Sequence, residues 1–138
     1  MLKVLFLEDD PDQIFLYQKG FQLENIEMIG AQNGKEAEEK IQSENPDLML
    51  VDILLKNENG LDVVEDLQKR NILKDIPIVI FTNYEKKEFQ DRAVKLGAID
   101  YFLKAEHVPE DMAKRIKWIA SANGIDDEKN WMTKINFR

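Results

Sequence analysis

Short apolar runs of strand length recur along the chain: LKVLFL at 2–7, IEMIGA at 26–31, DLMLVD at 47–52, IPIVIFT at 76–82 and IDYFL at 99–103. Between them lie stretches whose apolar residues recur at helical spacing, predicting helices over about 12–23, 34–44, 61–71, 85–96 and 109–122. Strand and helix alternate throughout, so the pattern predicts an α/β domain built on a parallel sheet. DLMLV has no polar alternation, and IPIVIF is similar. Both suit interior strands covered on two faces. In the last predicted helix Met112, Ile116, Ile119 and Ala120 recur on one side, which should lie against the sheet.

Local chemistry marks several boundaries. Asp10 followed by Pro11 reads as an N-cap with proline at the first helical position. Asn33 with Glu36 has capping-box spacing, looser for having Asn in place of Ser or Thr. Gly97 ends the fourth helix and Pro109 opens the fifth. No internal repeat or low-complexity linker interrupts the series.

Polar groups of complementary kinds follow the strands: Glu8-Asp9-Asp10 after the first, Asp52 at the end of the third, Thr82 at the end of the fourth and Lys104 after the fifth. In an open parallel sheet, functional groups gather at the carboxyl ends of the strands. Each residue alone has an ordinary explanation. Adjacent acids are usually solvated, Asp10 is better read as a helix cap, a strand-end threonine often serves a turn, and a single lysine is usually a surface charge. Asp52 is harder to dismiss, because an ionisable group directly after an apolar strand needs a partner. Co-occurrence at strand ends is what points to a site.

Glu8, Asp9 and Asp52 in one cleft would raise one another's pKa values. A hard divalent cation relieves that conflict, and Mg²⁺ prefers a few carboxylates together with water and phosphate oxygens. An aspartate beside such a metal can attack phosphorus to give an aspartyl phosphate. Thr82 could donate to a phosphoryl oxygen and Lys104 could neutralise another.

Composition narrows the choice. The 138 residues suffice for one domain with a real core. There is no cysteine, hence neither a disulfide nor a thiolate metal site, and the single histidine, His107, reads as an ordinary loop residue. A net charge of −8 opposes general affinity for nucleic acid. No apolar run is long enough to span a membrane and no signal pattern opens the chain, so a cytoplasmic location is expected.

VLFLEDDPD at the first strand, LMLVDILLKNENGLDV around the third, IPIVIFTN at the fourth and LGAIDYFLKA at the fifth resemble the receiver domain of two-component response regulators. The likeness covers about residues 2–121. It implies a flavodoxin-like, doubly wound, five-stranded parallel sheet of order 2-1-3-4-5 with flanking helices. It implies Asp52 as phosphoacceptor and metal ligand, Glu8 and Asp9 as further metal acids, and the Leu54 backbone carbonyl completing the protein ligands for Mg²⁺ or Mn²⁺. Thr82 corresponds to the switch hydroxyl, Tyr101 to the switch aromatic and Lys104 to the phosphate-binding lysine. Phosphorylation is expected to draw Thr82 inward and turn Tyr101 from exposed to buried. Such a domain catalyses its own phosphorylation and dephosphorylation without being a conventional enzyme. The partners implied are a histidine kinase or phosphotransfer protein and a downstream protein target, with a homodimer through the fourth and fifth helices also open.

Three positions depart from the family pattern. Lys56 and Ala105 stand where proline is common, and Asn83 replaces the small residue usual after the switch hydroxyl, where its bulk could restrict the phosphoryl site. Leu54 and Tyr84, at positions that vary in the family, should border the water route to the aspartyl phosphate and slow its hydrolysis. A pseudo-receiver that signals by constitutive contacts is the alternative these departures allow. A flavin module or small phosphatase on a similar fold is disfavoured, because LEDDPDQ offers acids where a phosphate cradle would be needed. A receiver domain is thus expected over 1–122, with 123–138 as a C-terminal extension forming a short helix or arm. That remainder is too short for a DNA-binding or catalytic domain, so a stand-alone receiver without direct DNA binding is expected.

Overall fold

The computed structural model describes residues 1–125. Strands β1 (Leu2–Leu7), β2 (Ile26–Ala31), β3 (Leu48–Val51), β4 (Ile78–Thr82) and β5 (Asp100–Leu103) alternate with helices α1 (Pro11–Gln22), α2 (Gly34–Glu44), α3 (Gly60–Lys69), α4 (Lys87–Lys95) and α5 (Pro109–Ala122). A single 3₁₀ turn, Lys104–Glu106, follows β5. All paired strands run parallel, in the order β2-β1-β3-β4-β5. This is the flavodoxin-like, doubly wound sheet that the sequence implied. The expected terminal arm, with Trp131, Met132, Ile135 and Phe137, lies outside the described residues.

Apolar runs without alternation are explained by two cores. Val4, Phe6, Leu48, Leu50, Val79 and Phe81 face α1 and α5. Their neighbours Leu5, Leu7, Met49, Val51, Ile78 and Ile80 face α2, α3 and α4. Side chains alternate along a strand, so covering both faces demands an apolar residue at every position. Met112, Ile116, Ile119 and Ala120 of α5 are buried in the first core, as their spacing predicts. Close approach of α1 to α5 requires glycine at position 20, where a Cβ would fall 2.4 Å from Pro109 Cβ. Among the described residues, no helix is long and apolar enough to cross a membrane.

Boundaries depart from expectation where a hydrogen bond, not hydrophobicity, decides them. Strand β4 starts at Ile78 and not at 76, because Pro77 has no N–H for the ladder; its carbonyl still accepts from Met49 N–H at 2.9 Å. Asp47 leaves β3 and accepts the Lys3 N–H at 2.8 Å. Helix α3 begins one residue earlier than the pattern suggests, capped by Asn59, whose Oδ1 accepts the Leu61 N–H at 2.7 Å. Helix α4 is shorter than predicted, leaving 83–86 as a loop. Asp10 does cap α1, accepting the Asp12 N–H at 2.9 Å with Pro11 next to it. Asn33 accepts the Glu36 N–H at 2.9 Å, but the Glu36 carboxylate returns to the backbone N–H of Gln32 and to the side-chain amide of Asn33, not to the Asn33 backbone.

Candidate functional site

The chain crosses from β2 back past β1 to β3, so β1 and β3 lie side by side where the strand order reverses. A crevice opens beyond their carboxyl ends at such a point. Glu8 follows β1 directly and Asp52 follows β3 directly. The ladder continues one step past each strand: Glu8 N–H donates to Ala31 at 2.9 Å and Asp52 N–H to Leu7 at 3.0 Å. Both carboxylates are thereby fixed by backbone. They are also buried, with Glu8 2% and Asp52 6% exposed.

Lys104 is what makes that burial tenable. Its ammonium donates to Asp52 Oδ2 at 2.9 Å and, closely, to Glu8 Oε1. It also lies 5.8 Å from the centroid of the Phe6 ring. The second oxygen of Glu8 accepts the Asp10 N–H at 3.1 Å, and Asp52 Oδ1 accepts the Leu54 N–H at 3.3 Å. Desolvation drives the Glu8 pKa above its ordinary value, and the bond and charge of Lys104 only partly counter this. Burial pulls Lys104 the other way, but the charge of Asp52 and the bonds to both acids outweigh it, and its pKa ends raised. The lysine is held as a cation.

Asp9 sits at the rim, with Oδ2 accepting the Lys56 N–H at 2.7 Å. A proline at 56 would have no N–H to give. The bond ties the loop after β1 to the loop after β3. Leu54 is half exposed at 51% and bridges to Asn59, closing the loop before α3. Thr82 is fully buried at the end of β4, and its hydroxyl accepts the Tyr84 N–H at 3.3 Å. That leaves its own proton free to donate.

Tyr101 is half-buried against the second core, and its hydroxyl donates to the Tyr84 carbonyl, which satisfies the polar end of the phenol. Tyr84 leans edge-on against Phe89, ring centroids 4.9 Å apart, with the Lys86 ammonium over its face. His107 bonds Asp111 at 2.7 Å and meets the edge of Phe102, a structural role in keeping with the sequence.

Two contributors go beyond the residues that the sequence singled out as a site. Gly60 abuts the carboxyl end of β3, where a Cβ would stand 2.0 Å from the Asp52 carbonyl oxygen. Asn83 Oδ1 accepts the Ala105 N–H at 2.9 Å, so two residues singled out separately are partners. A close Gly at the start of α3 gave some hint of the first. Nothing in the linear pattern announced the second.

Glu8, Asp9 and Asp52 supply hard oxygen donors of the kind Mg²⁺ or Mn²⁺ takes. As they stand, no three acids among the described residues are grouped to hold an ion. Lys104 lies between Glu8 and Asp52, and Asp9 is engaged by Lys56. The donors suit the metal in kind.

A doubly wound sheet with buried acids paired to a lysine at its switch point, and a hydroxyl on the adjoining strand, defines a receiver-type domain. The profile of the response regulator receiver domain matches residues 4–117, and the chain belongs to that family. It is 28% identical over 123 residues to the alkaline phosphatase synthesis transcriptional regulatory protein PhoP of Bacillus subtilis, covering 89% of this chain and 50% of that one. It is 33% identical over 104 residues to the transcriptional regulatory protein RstA of Escherichia coli, covering 75% and 42%. The chain thus spans about half the length of the curated relatives it matches. Among solved structures, the BeF3-activated N-terminal receiver domain of Klebsiella pneumoniae RstA superposes with a TM-score of 0.73 at 30% identity, covering 84% of this chain and 96% of that one. A CheY-like receiver domain protein from Methanospirillum hungatei shares the fold, with a TM-score of 0.77 at 24% identity over 88% and 95%.

Proposed function

We propose that this receiver domain is a phosphorylation-dependent switch that accepts a phosphoryl group on Asp52 from a histidine kinase or phosphotransfer protein. One observation carries the reading: Asp52 is buried at the switch point and held 2.9 Å from the Lys104 ammonium. An Asp52 carboxylate oxygen attacks phosphorus, a P–O bond forms, and the P–N bond to the donor imidazole breaks with the electron pair leaving on nitrogen. Lys104 follows the charge from the carboxylate to a phosphoryl oxygen, and the Thr82 hydroxyl turns its proton to another. Glu8, Asp9, Asp52 and the Leu54 carbonyl would hold Mg²⁺ or Mn²⁺, which when bound neutralises charge on the phosphoryl oxygens. Output is altered affinity for a protein target. The relatives' names describe transcriptional regulators, and any link from this chain to transcription runs through that target or through sequence beyond the matched region.

The competing reading is a pseudo-receiver that signals by constitutive contacts. It draws on the Asp9 carboxylate being engaged by the Lys56 N–H. Incubation with acetyl phosphate or phosphoramidate and Mg²⁺ separates the two. The expected outcome is one hydroxylamine-sensitive phosphoryl group per chain, lost in Asp52→Asn, since an amide cannot attack phosphorus as a carboxylate does. Full labelling of that variant moves the site elsewhere, and an unlabelled parent favours the pseudo-receiver.

A further inference from the structure

The last rung of the β4–β5 ladder pairs Thr82 with Leu103. Beyond it the 3₁₀ turn Lys104–Glu106 begins, and Leu103 provides no side-chain cap. The leading N–H groups of such a turn have no partner within it and need one from elsewhere. Asn83 supplies it, accepting the Ala105 N–H at 2.9 Å. A side chain thereby extends strand pairing past the end of the sheet. The bond joins the residue after Thr82 to the residue after Lys104.

Both departures from the usual family residues are needed. A glycine or alanine at 83 has no side-chain acceptor, and a proline at 105 has no donor. The rest of this loop is fastened as well: Tyr84 N–H donates to Thr82 Oγ1 at 3.3 Å, and the Tyr101 hydroxyl donates to the Tyr84 carbonyl. Those contacts hold the loop to itself and to the body of β5. Among the described residues, the Asn83–Ala105 bond is the hydrogen bond that links it to the turn that carries the lysine. The Asn83 side chain is turned to Ala105.

We propose that Asn83 is a positioning residue coupling the loop of Thr82 to the turn of Lys104, so that hydroxyl and ammonium close on a phosphoryl group as one unit. The proposal rests on the reading of Asp52 as phosphoacceptor. Pre-set geometry between two groups that must act together raises the rate of the step they serve. The bond lies at an exposed rim, where water competes for both partners, so its effect is that of one ordinary neutral hydrogen bond.

The test uses the whole chain with Asn83→Leu (size kept, acceptor lost), Asn83→Asp (acceptor kept), Ala105→Pro (donor lost) and the Leu/Pro double variant. Exchange of the Ala105 amide, followed by NMR without phosphodonor, reads the bond independently of any phosphorylation. It is expected to quicken about two- to tenfold in Asn83→Leu and to recover in Asn83→Asp. Labelling from acetyl phosphate should slow by a similar factor in Asn83→Leu and in Ala105→Pro, recover in Asn83→Asp, and be no slower in the double variant than in either single one. Should Ala105→Pro fail to fold, the Leu and Asp variants carry the comparison alone. Asn83→Leu labelled at the parent rate overturns the coupling and leaves the phosphoacceptor reading intact. A parent that takes no label at Asp52 overturns both, even if its Ala105 amide is protected.

Discussion

One ammonium serves two buried carboxylates, and the cost of that arrangement falls on Glu8. Its burial exceeds what Lys104 returns, so the folded state holds the Glu8 proton above the ordinary value of 4.5. The sign is opposite to that of a carboxylate relaxed by an ion pair. Between 4.5 and the raised folded pKa, the native state binds more protons than the unfolded chain, so this group's contribution to stability falls as pH rises through that window. Glu8→Gln should flatten the decline while Lys104 keeps its bond to Asp52. Urea unfolding of parent and variant over a pH series from 4.5 to neutrality, free of divalent metal, measures it; parallel slopes would remove Glu8 as the strained group. Glu8, Asp52, Thr82 and Lys104 were legible as a set because each ends or follows an apolar strand. The Asn83–Ala105 pair was not, since the two lie 22 positions apart with a helix and a strand between them, and the sheet is what brings them together.

At the scale of elements, strand ends aim the site and helix starts brace it. The first turn of α3 presses on the backbone of Asp52: Gly60 N–H donates to Ile53 at 2.8 Å, and the missing Cβ is what allows the approach. Gly60→Ala places a methyl 2.0 Å from a carbonyl oxygen that cannot swing away as a flexible side chain would. Either α3 retreats or Asp52 moves. A destabilisation of about 1–3 kcal/mol is expected, typical of overpacking, together with slower labelling at Asp52. Thermal or urea unfolding and an acetyl phosphate time course check both; a variant with parental stability and rate would mean that the contact relaxes freely. Hydrophobic period revealed five strands and five helices because two-sided burial leaves little room for polar residues in β3 and β4. It misjudged ends such as Pro77 and Asn59, where a missing N–H or a capping oxygen sets the boundary.

For the molecule as a whole, the surface left over is acidic overall yet carries isolated large apolar groups. A net charge of −8 opposes contact between two copies. Val94 on α4 is 73% exposed and Trp118 on α5 is 72% exposed. Single exposed apolar residues are common and mean little alone. A tryptophan is different, because it offers large area at small entropic cost and is enriched where interfaces concentrate their energy. If copies meet through α4 and α5, Trp118 should anchor the contact. Trp118→Ala should then weaken dimerisation about tenfold or more, while raised salt should strengthen it in the parent by screening repulsion between acidic chains. Sedimentation velocity over a concentration series, with and without beryllofluoride and Mg²⁺, reads all three dependences. An unchanged dimer in Trp118→Ala would place the interface on another face. A parent that stays monomeric under every condition would leave the output to a different protein, and the exposed Trp118 would then be the first position to alter in a search for the surface that partner covers.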